Sequence, residues 1–298
     1  SIKYIERFAL HNTEWYRKDK KDLLYVNNIL YSYRGSATEI DDVFFKNNTE
    51  RISAYCFYKN DKLTTIKLPS SIISIGNSAF EGCNRLECVN LPYNLKELGD
   101  KAFKDCKRLA DVKFNTFINS IGAYCFAGCS ELRKIKLPTS ITQIGAGAFY
   151  NCTGLQQINI PNSIKEVVAG CFSRCPSLER VYLHKNIKKI EEYAFAGCTR
   201  LDSIIIPRGC NIIGSRAFSH CEELSHIDIK AQSIRIDPLS FYKCKNMSEV
   251  NLVGAYRIGR KAFADCENLQ KVTLGEDLTY ISDYAFENCE SLYSIKIP

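Results

Sequence analysis

The chain has 298 residues, 45% of them hydrophobic, with 24% charged residues and a net charge of +7. That composition supports a large core and excludes both a disordered chain and a dedicated, densely basic nucleic-acid binder. No apolar run reaches the roughly 18 residues that a membrane-spanning helix needs, and the opening "SIKYIERFAL" has neither the core nor the cleavage site of a signal peptide.

Residues 1–51 are irregular. In "SIKYIERFAL", Ile2, Ile5, Ala9 and Leu10 fall where Ile72, Ile75, Ala79 and Phe80 fall later, so the chain is expected to open in the middle of a repeat. "LLYVNNILYSY" then places Asn27 and Asn28 between two apolar stretches, the signature of a hairpin. "YSYRGSATEI" reads as a variant repeat.

From residue 52 to 298 one phrase recurs. Its phenylalanines are Phe57, Phe80, Phe103, Phe126, Phe149, Phe172, Phe195, Phe218, Phe241, Phe263 and Phe286, spaced by 23 residues except for 22 between Phe241 and Phe263. A period in the twenties is that of a solenoid, and its continuity predicts a single uninterrupted one. Each coil begins with alternation, as in "LTTIKLP", where Ile66 and Leu68 are inward and Thr65 and Lys67 outward. The inward pair recurs in every coil, and neighbouring coils are expected to join these strands into one parallel sheet. "SIISIG" buries Ile72 and Ile75 and bends at Gly76, a place that needs either positive φ or close packing. "NSAFEGC" predicts one helical turn. It ends two residues after the phenylalanine, where seven of ten residues from Gly82 to Asn288 are Gly, Asn or Asp. The single 22-residue interval is expected to be absorbed between Val253 and Arg257.

The following position is a cysteine: Cys83, Cys106, Cys129, Cys152, Cys175, Cys198, Cys221, Cys244, Cys266 and Cys289, ten of the fifteen in the chain. Parallel side chains repeating at about 4.8 Å are poorly aimed for disulfides, and a line of thiols does not make a tetrahedral zinc site. They are expected to be buried, reduced, apolar plugs, so that serine at Cys129 would cost roughly 1 to 3 kcal/mol and alanine less. Cys56, Cys125 and Cys171 replace a small core alanine, while Cys88 and Cys210 are expected to be partly exposed. The chain stops at "SIKIP", again in mid-repeat and without a distinct cap, as a portion of a longer protein would.

The phrase "LTTIKLPSSIISIGNSAFEGCNRL" resembles the BspA-like class of leucine-rich repeats, and the likeness covers residues 52–298 closely. The resemblance implies an α/β repeat solenoid: a right-handed leucine-rich-repeat superhelix of 23-residue coils, with a parallel sheet on one face and short helical turns on the other. It also implies a cell-surface or secreted protein linked to adhesion, and it names no ligand.

No catalytic constellation is legible. His11, His184, His220 and His226 stand beside no serine or cysteine motif with a third partner. "SHCEELSH" brings His220, Cys221 and His226 close in sequence, but Cys221 is a ladder plug. "IGAGAF" is the ordinary coil phrase and not a phosphate loop. No cofactor, metal or nucleic-acid partner is expected, and the chain reads as a non-enzymatic monomer. Binding would then use the outward residues flanking the buried strand pair. Lys113, Lys134, Lys136, Gln157, Asn159, Arg180 and Tyr182 gather there as a basic, amide-rich surface suited to an acidic protein segment or a glycan, with Tyr182 as anchor. The alternative is a spacer or display scaffold with no ligand of its own.

Overall fold

The computed structural model describes residues 2, 5 and 9–297, in two compact units, Ser1–Cys152 and Thr153–Pro298. The first unit starts with a five-residue helix, Glu14–Lys18, capped by the Thr13 hydroxyl, which accepts the Tyr16 N–H. The expected hairpin follows. Leu23–Val26 pairs antiparallel with Ile29–Tyr33, and Asn27 takes the left-handed conformation, φ 55°, that the tight turn needs. The half-coil expected at the start is not packed like an interior coil. Ile2 and Ala9 are exposed, Ile5 and Leu10 are half-buried, and the remaining residues of that stretch lie outside the described residues, as does Pro298.

Each coil contributes to two parallel ladders, so the expected single sheet is corrected to two. In the first unit one ladder joins Glu39–Ile40, Thr65–Lys67, Cys88–Asn90 and Asp111–Lys113. The second runs from the hairpin through Arg51–Ile52, Ser74–Ile75, Glu97–Leu98 and Ser120–Ile121 to Gln143–Ile144. In the second unit the second ladder again runs unbroken, from Glu166–Val167 to Tyr280–Ile281. The first ladder there is in pieces: Gln157–Asn159 with Arg180–Tyr182, Ser203–Ile206 with His226–Ile229, and Glu249–Leu252 with Lys271–Leu274 and Ser294–Lys296.

The helical turn expected on the far side of each coil is absent, and its backbone bonding gives the reason. Ala79, Glu81 and Cys83 donate their N–H groups back three residues, to the carbonyls of Gly76, Ser78 and Phe80. The alternate residues Ser78, Phe80 and Gly82 donate instead to Asp100, Ala102 and Lys104 of the next coil, at 2.7–2.8 Å. Half of the donors a helix would use are committed between coils, leaving a chain of tight turns. These turns need left-handed residues twice. The position two after the phenylalanine takes positive φ in every coil, including the less accommodating Arg174, His220 and Lys243. The position two before it does so too, with Tyr55, Ser78, Lys101, Tyr124, Tyr193, Arg216 and Leu239 among its occupants. Nothing in their side chains advertised that second requirement.

Close packing, not positive φ, fixes the glycine at the bend. A Cβ on Gly122 would lie 2.5 Å from the Asp100 nitrogen and the Gly99 carbonyl carbon of the preceding coil. The 22-residue coil is shortened within Val253–Arg257, as its spacing implies. Ile234 pairs with Ala255 but Arg235 with Arg257, so a turn two residues shorter is partly offset by a bulge at Tyr256.

The core is built from columns. Phe57, Phe80, Phe103, Phe126 and Phe149 stack at ring separations of 4.7–5.6 Å in the first unit, within 8° of parallel. Phe172 to Phe286 do the same in the second, at 5.0–5.5 Å. The coil spacing sets that distance, since residues one period apart sit one strand spacing apart.

Candidate functional site

The cysteine column lies beside the phenylalanines. From Cys83 to Cys266 its members are buried, and Cys289 in the last coil is half-buried. They are not merely apolar plugs. Cys83, Cys106, Cys129 and Cys152 each donate the thiol proton to the carbonyl of the preceding coil's phenylalanine, with Sγ 3.1–3.2 Å from the oxygen. Cys198, Cys221, Cys244, Cys266 and Cys289 repeat this at 3.1–3.3 Å in the second unit. A serine at Cys129 would therefore meet an acceptor, the Phe103 carbonyl, which corrects the expectation that its hydroxyl would lack a partner.

Burial pushes the thiols of Cys56, Cys106, Cys129, Cys198 and Cys244 well above the ordinary range, because a thiolate there would lose its hydration. Cys289 is pushed up to about 11 for the same reason. Cys210, expected to be partly exposed, is instead buried; it too is pushed up to about 11 and donates to the Ile212 carbonyl. Cys88 is half-exposed as expected. The buried thiols with raised pKa values are not set up as nucleophiles.

The three residues of "SHCEELSH" do not converge. Cys221 is bonded to Phe195, His220 sits edge-on to the Tyr242 ring, and His226 is exposed on a strand. Among the described residues no group of three His, Cys, Asp or Glu side chains could hold a metal ion. No described helix is long and apolar enough to cross a membrane.

The outward face of the first ladder carries the binding candidates. Alternation puts all seven candidates there, exposed, around buried residues such as Val112, Ile158 and Val181. In the first unit Lys113 closes the strand Asp111–Lys113 and has its own Asp111 carboxylate 3.9 Å away. Lys134, a single bridging residue, and Lys136, outside the laddered strands, flank the buried Ile135 in the next coil. Neither carries an ion pair among the described residues. In the second unit the register is explicit: Gln157 lies opposite Arg180, and Asn159 opposite Tyr182. Tyr182 is 55% exposed, and Ile205, at the equivalent place in the next coil, is 56% exposed. Ile205 belongs to this surface as well. Alternation in "SIIIP" already puts Ile205 outward, one period after Tyr182. The second-unit patch thus joins a guanidinium and two carboxamides to an apolar, aromatic centre. That combination can bind a polar ligand but offers no acid, base or nucleophile pair.

The repeat architecture can be matched to known proteins. The BspA type leucine rich repeat region matches in 6 copies over residues 29–146, 119–248 and 234–298. The chain belongs to the BspA-type leucine-rich repeat family. Among solved structures, this BspA-type chain is similar to a leucine-rich repeat protein from Bacteroides ovatus, with 32% identity over 84% of this chain and 70% of that one, and a TM-score of 0.69. A leucine-rich repeat protein of T. pallidum is 30% identical over 58% of this chain and 82% of its own, with a TM-score of 0.54. The pneumococcal vaccine antigen PcpA shares the fold, at 19% identity over 84% of this chain and 66% of that one, with a TM-score of 0.51. No curated protein matches the chain.

Proposed function

We propose that this BspA-type repeat protein is a non-catalytic binding module of the cell surface or extracellular space, working through the outward face of the first ladder. The observation that carries the reading is the second-unit patch, where Arg180 and Tyr182 stand beside Gln157 and Asn159 with their side chains in solvent. Such a face binds by hydrogen bonds and aromatic contact to a protein segment or a glycan, and acidic groups suit Arg180 and, in the first unit, Lys113, Lys134 and Lys136. A surface location follows from the family resemblance. It is compatible with the many free cysteines because burial denies oxidants access to all of them but the half-exposed Cys88 and half-buried Cys289.

The test is a screen of immobilised glycans and proteins against the chain and against a variant with Lys113, Lys134, Lys136, Arg180 and Tyr182 all changed to alanine. The reading expects at least one ligand captured by the parent and lost by the folded variant. Equal capture by both would refute it and leave a display scaffold as the better account.

A further inference from the structure

A second cluster of charge lies at a turn corner of the second unit, away from the outward face. Four exposed cations gather on consecutive coils there: Lys165, Lys185, Lys188 and Arg208. Lys165 and Lys188 hold equivalent places one coil apart, joined by the Lys188 N–H donating to the Lys165 carbonyl at 2.7 Å. Lys185 and Arg208 are likewise one coil apart, at the turn that precedes the second ladder.

Gly209 shows where one of the four amines lies. The point where its Cβ would stand is 3.0 Å from the Lys188 amine nitrogen and 3.0 Å from the Lys185 carbonyl. The Lys188 amine is therefore folded over the backbone next to Arg208, in space that any side chain at position 209 would contest.

None of the four has an ion pair among the described residues. Of the nearby carboxylates, Glu191 is engaged by Lys189 at 2.7 Å and by the Ala169 N–H, Glu179 by Arg200 at 3.3 Å, and Glu166 stands opposite Lys189 in the second ladder. Like charges held together without a counter-charge raise the local potential, and a bound anion relieves it.

We propose that this corner binds a polysaccharide bearing anionic groups. The cations stand as stacked pairs repeating at the strand spacing of about 4.8 Å. They do not close around a pocket, so they suit a polymer with charges on successive units better than a single small anion. The exposed Asn162 adds a carboxamide for hydroxyl groups.

The experiment measures binding of the full chain to heparin, to hyaluronan and to single-stranded DNA at physiological salt. A variant carrying Lys165→Gln, Lys185→Gln, Lys188→Gln and Arg208→Gln is compared with a charge-matched control carrying Lys20→Gln, Lys21→Gln, Lys62→Gln and Lys107→Gln, all exposed and off the outward face of the first ladder. Melting curves establish that both are folded. The corner variant is expected to lose affinity for at least one of the two polysaccharides on the order of tenfold, and the control much less. Loss for heparin alone identifies sulfate as the group recognised, and loss for hyaluronan identifies carboxylate. Equal losses in the two variants would mean non-specific attraction to a basic protein and would overturn the proposal. So would no binding to either polysaccharide, or DNA binding that is the tightest of the three and depends on the same four residues.

Discussion

The two sides of each coil are held in different ways. On the first-ladder side the strands pair in separate groups, and the pairing narrows to a single bridging residue, Lys134, in the coil of Lys134–Lys136. On the turn side the coils are joined at alternate residues, from the Phe57 N–H to the Ala79 carbonyl through the Phe126 N–H to the Ala148 carbonyl in the first unit alone. Phenylalanine stacking and the thiol-to-carbonyl bonds add to the same side. The difference teaches that the scaffold is stabilised where its side chains repeat. Where they vary, the backbone asks little of them, and that is the face left for a ligand.

The largest effect that would break this arrangement is alkaline pH. The buried thiols have folded pKa values raised above their unfolded ones, so the folded chain holds its protons more tightly. Their contribution is fully present below the unfolded pKa, near 8.5 to 9, and is lost as pH rises beyond it towards and through the raised values. Because several thiols titrate together, thermal denaturation is expected to show a falling midpoint from pH 9 upward that is steeper than in a variant with Cys106, Cys129, Cys198 and Cys244 changed to alanine. Parallel pH profiles for the two proteins would contradict it.

Next in size is Phe103→Ala. Phe103 is fully buried between Phe80 and Phe126, at 5.1 and 5.6 Å. Its truncation opens a cavity in the column and should destabilise by about 3 to 5 kcal/mol in denaturant titration. The cysteine comparison is smaller and sharper. Cys129→Ser keeps a donor for the Phe103 carbonyl and should cost about 1 kcal/mol, whereas Cys129→Ala removes both the bond and the packing and should cost at least as much. A serine variant clearly less stable than the alanine variant would show the thiol acting only as an apolar filler. On the opposite side, Lys134→Thr with Lys136→Thr should move the unfolding midpoint by no more than the equivalent of about 0.5 kcal/mol, since nothing in the core rests on either side chain.

How much of this was legible in the sequence follows the same division. The inward positions, the hairpin at Asn27, the shortened coil at Val253–Arg257 and the left-handed residues after each phenylalanine were readable, because alternation, spacing and residue type carry them directly. The second ladder was not, since two-residue strands such as Ser74–Ile75 are too short to show a period. A helical turn was the natural reading of "NSAFEGC", whose local propensities do not reveal that every other N–H is claimed by the next coil. Of the candidate site, the outward placement of Lys113, Lys134, Lys136, Gln157, Asn159, Arg180 and Tyr182 was legible from alternation. The outward place of Ile205 follows from the same alternation, and the Asp111–Lys113 pair lies within one strand; the cations around Gly209 depend on contacts between coils, which one coil's sequence does not state.

The most direct measurement is native-state hydrogen exchange, resolved by residue, at neutral pH. If the turn side carries the scaffold, the amides of Phe80, Phe103 and Phe126, which donate to the next coil at 2.7–2.8 Å, should exchange only through global unfolding. The amides of Lys136 and Leu137, outside the laddered strands, should exchange through local opening, faster on the order of a hundredfold or more. Equal protection on the two sides, or faster exchange at the phenylalanines, would contradict the account.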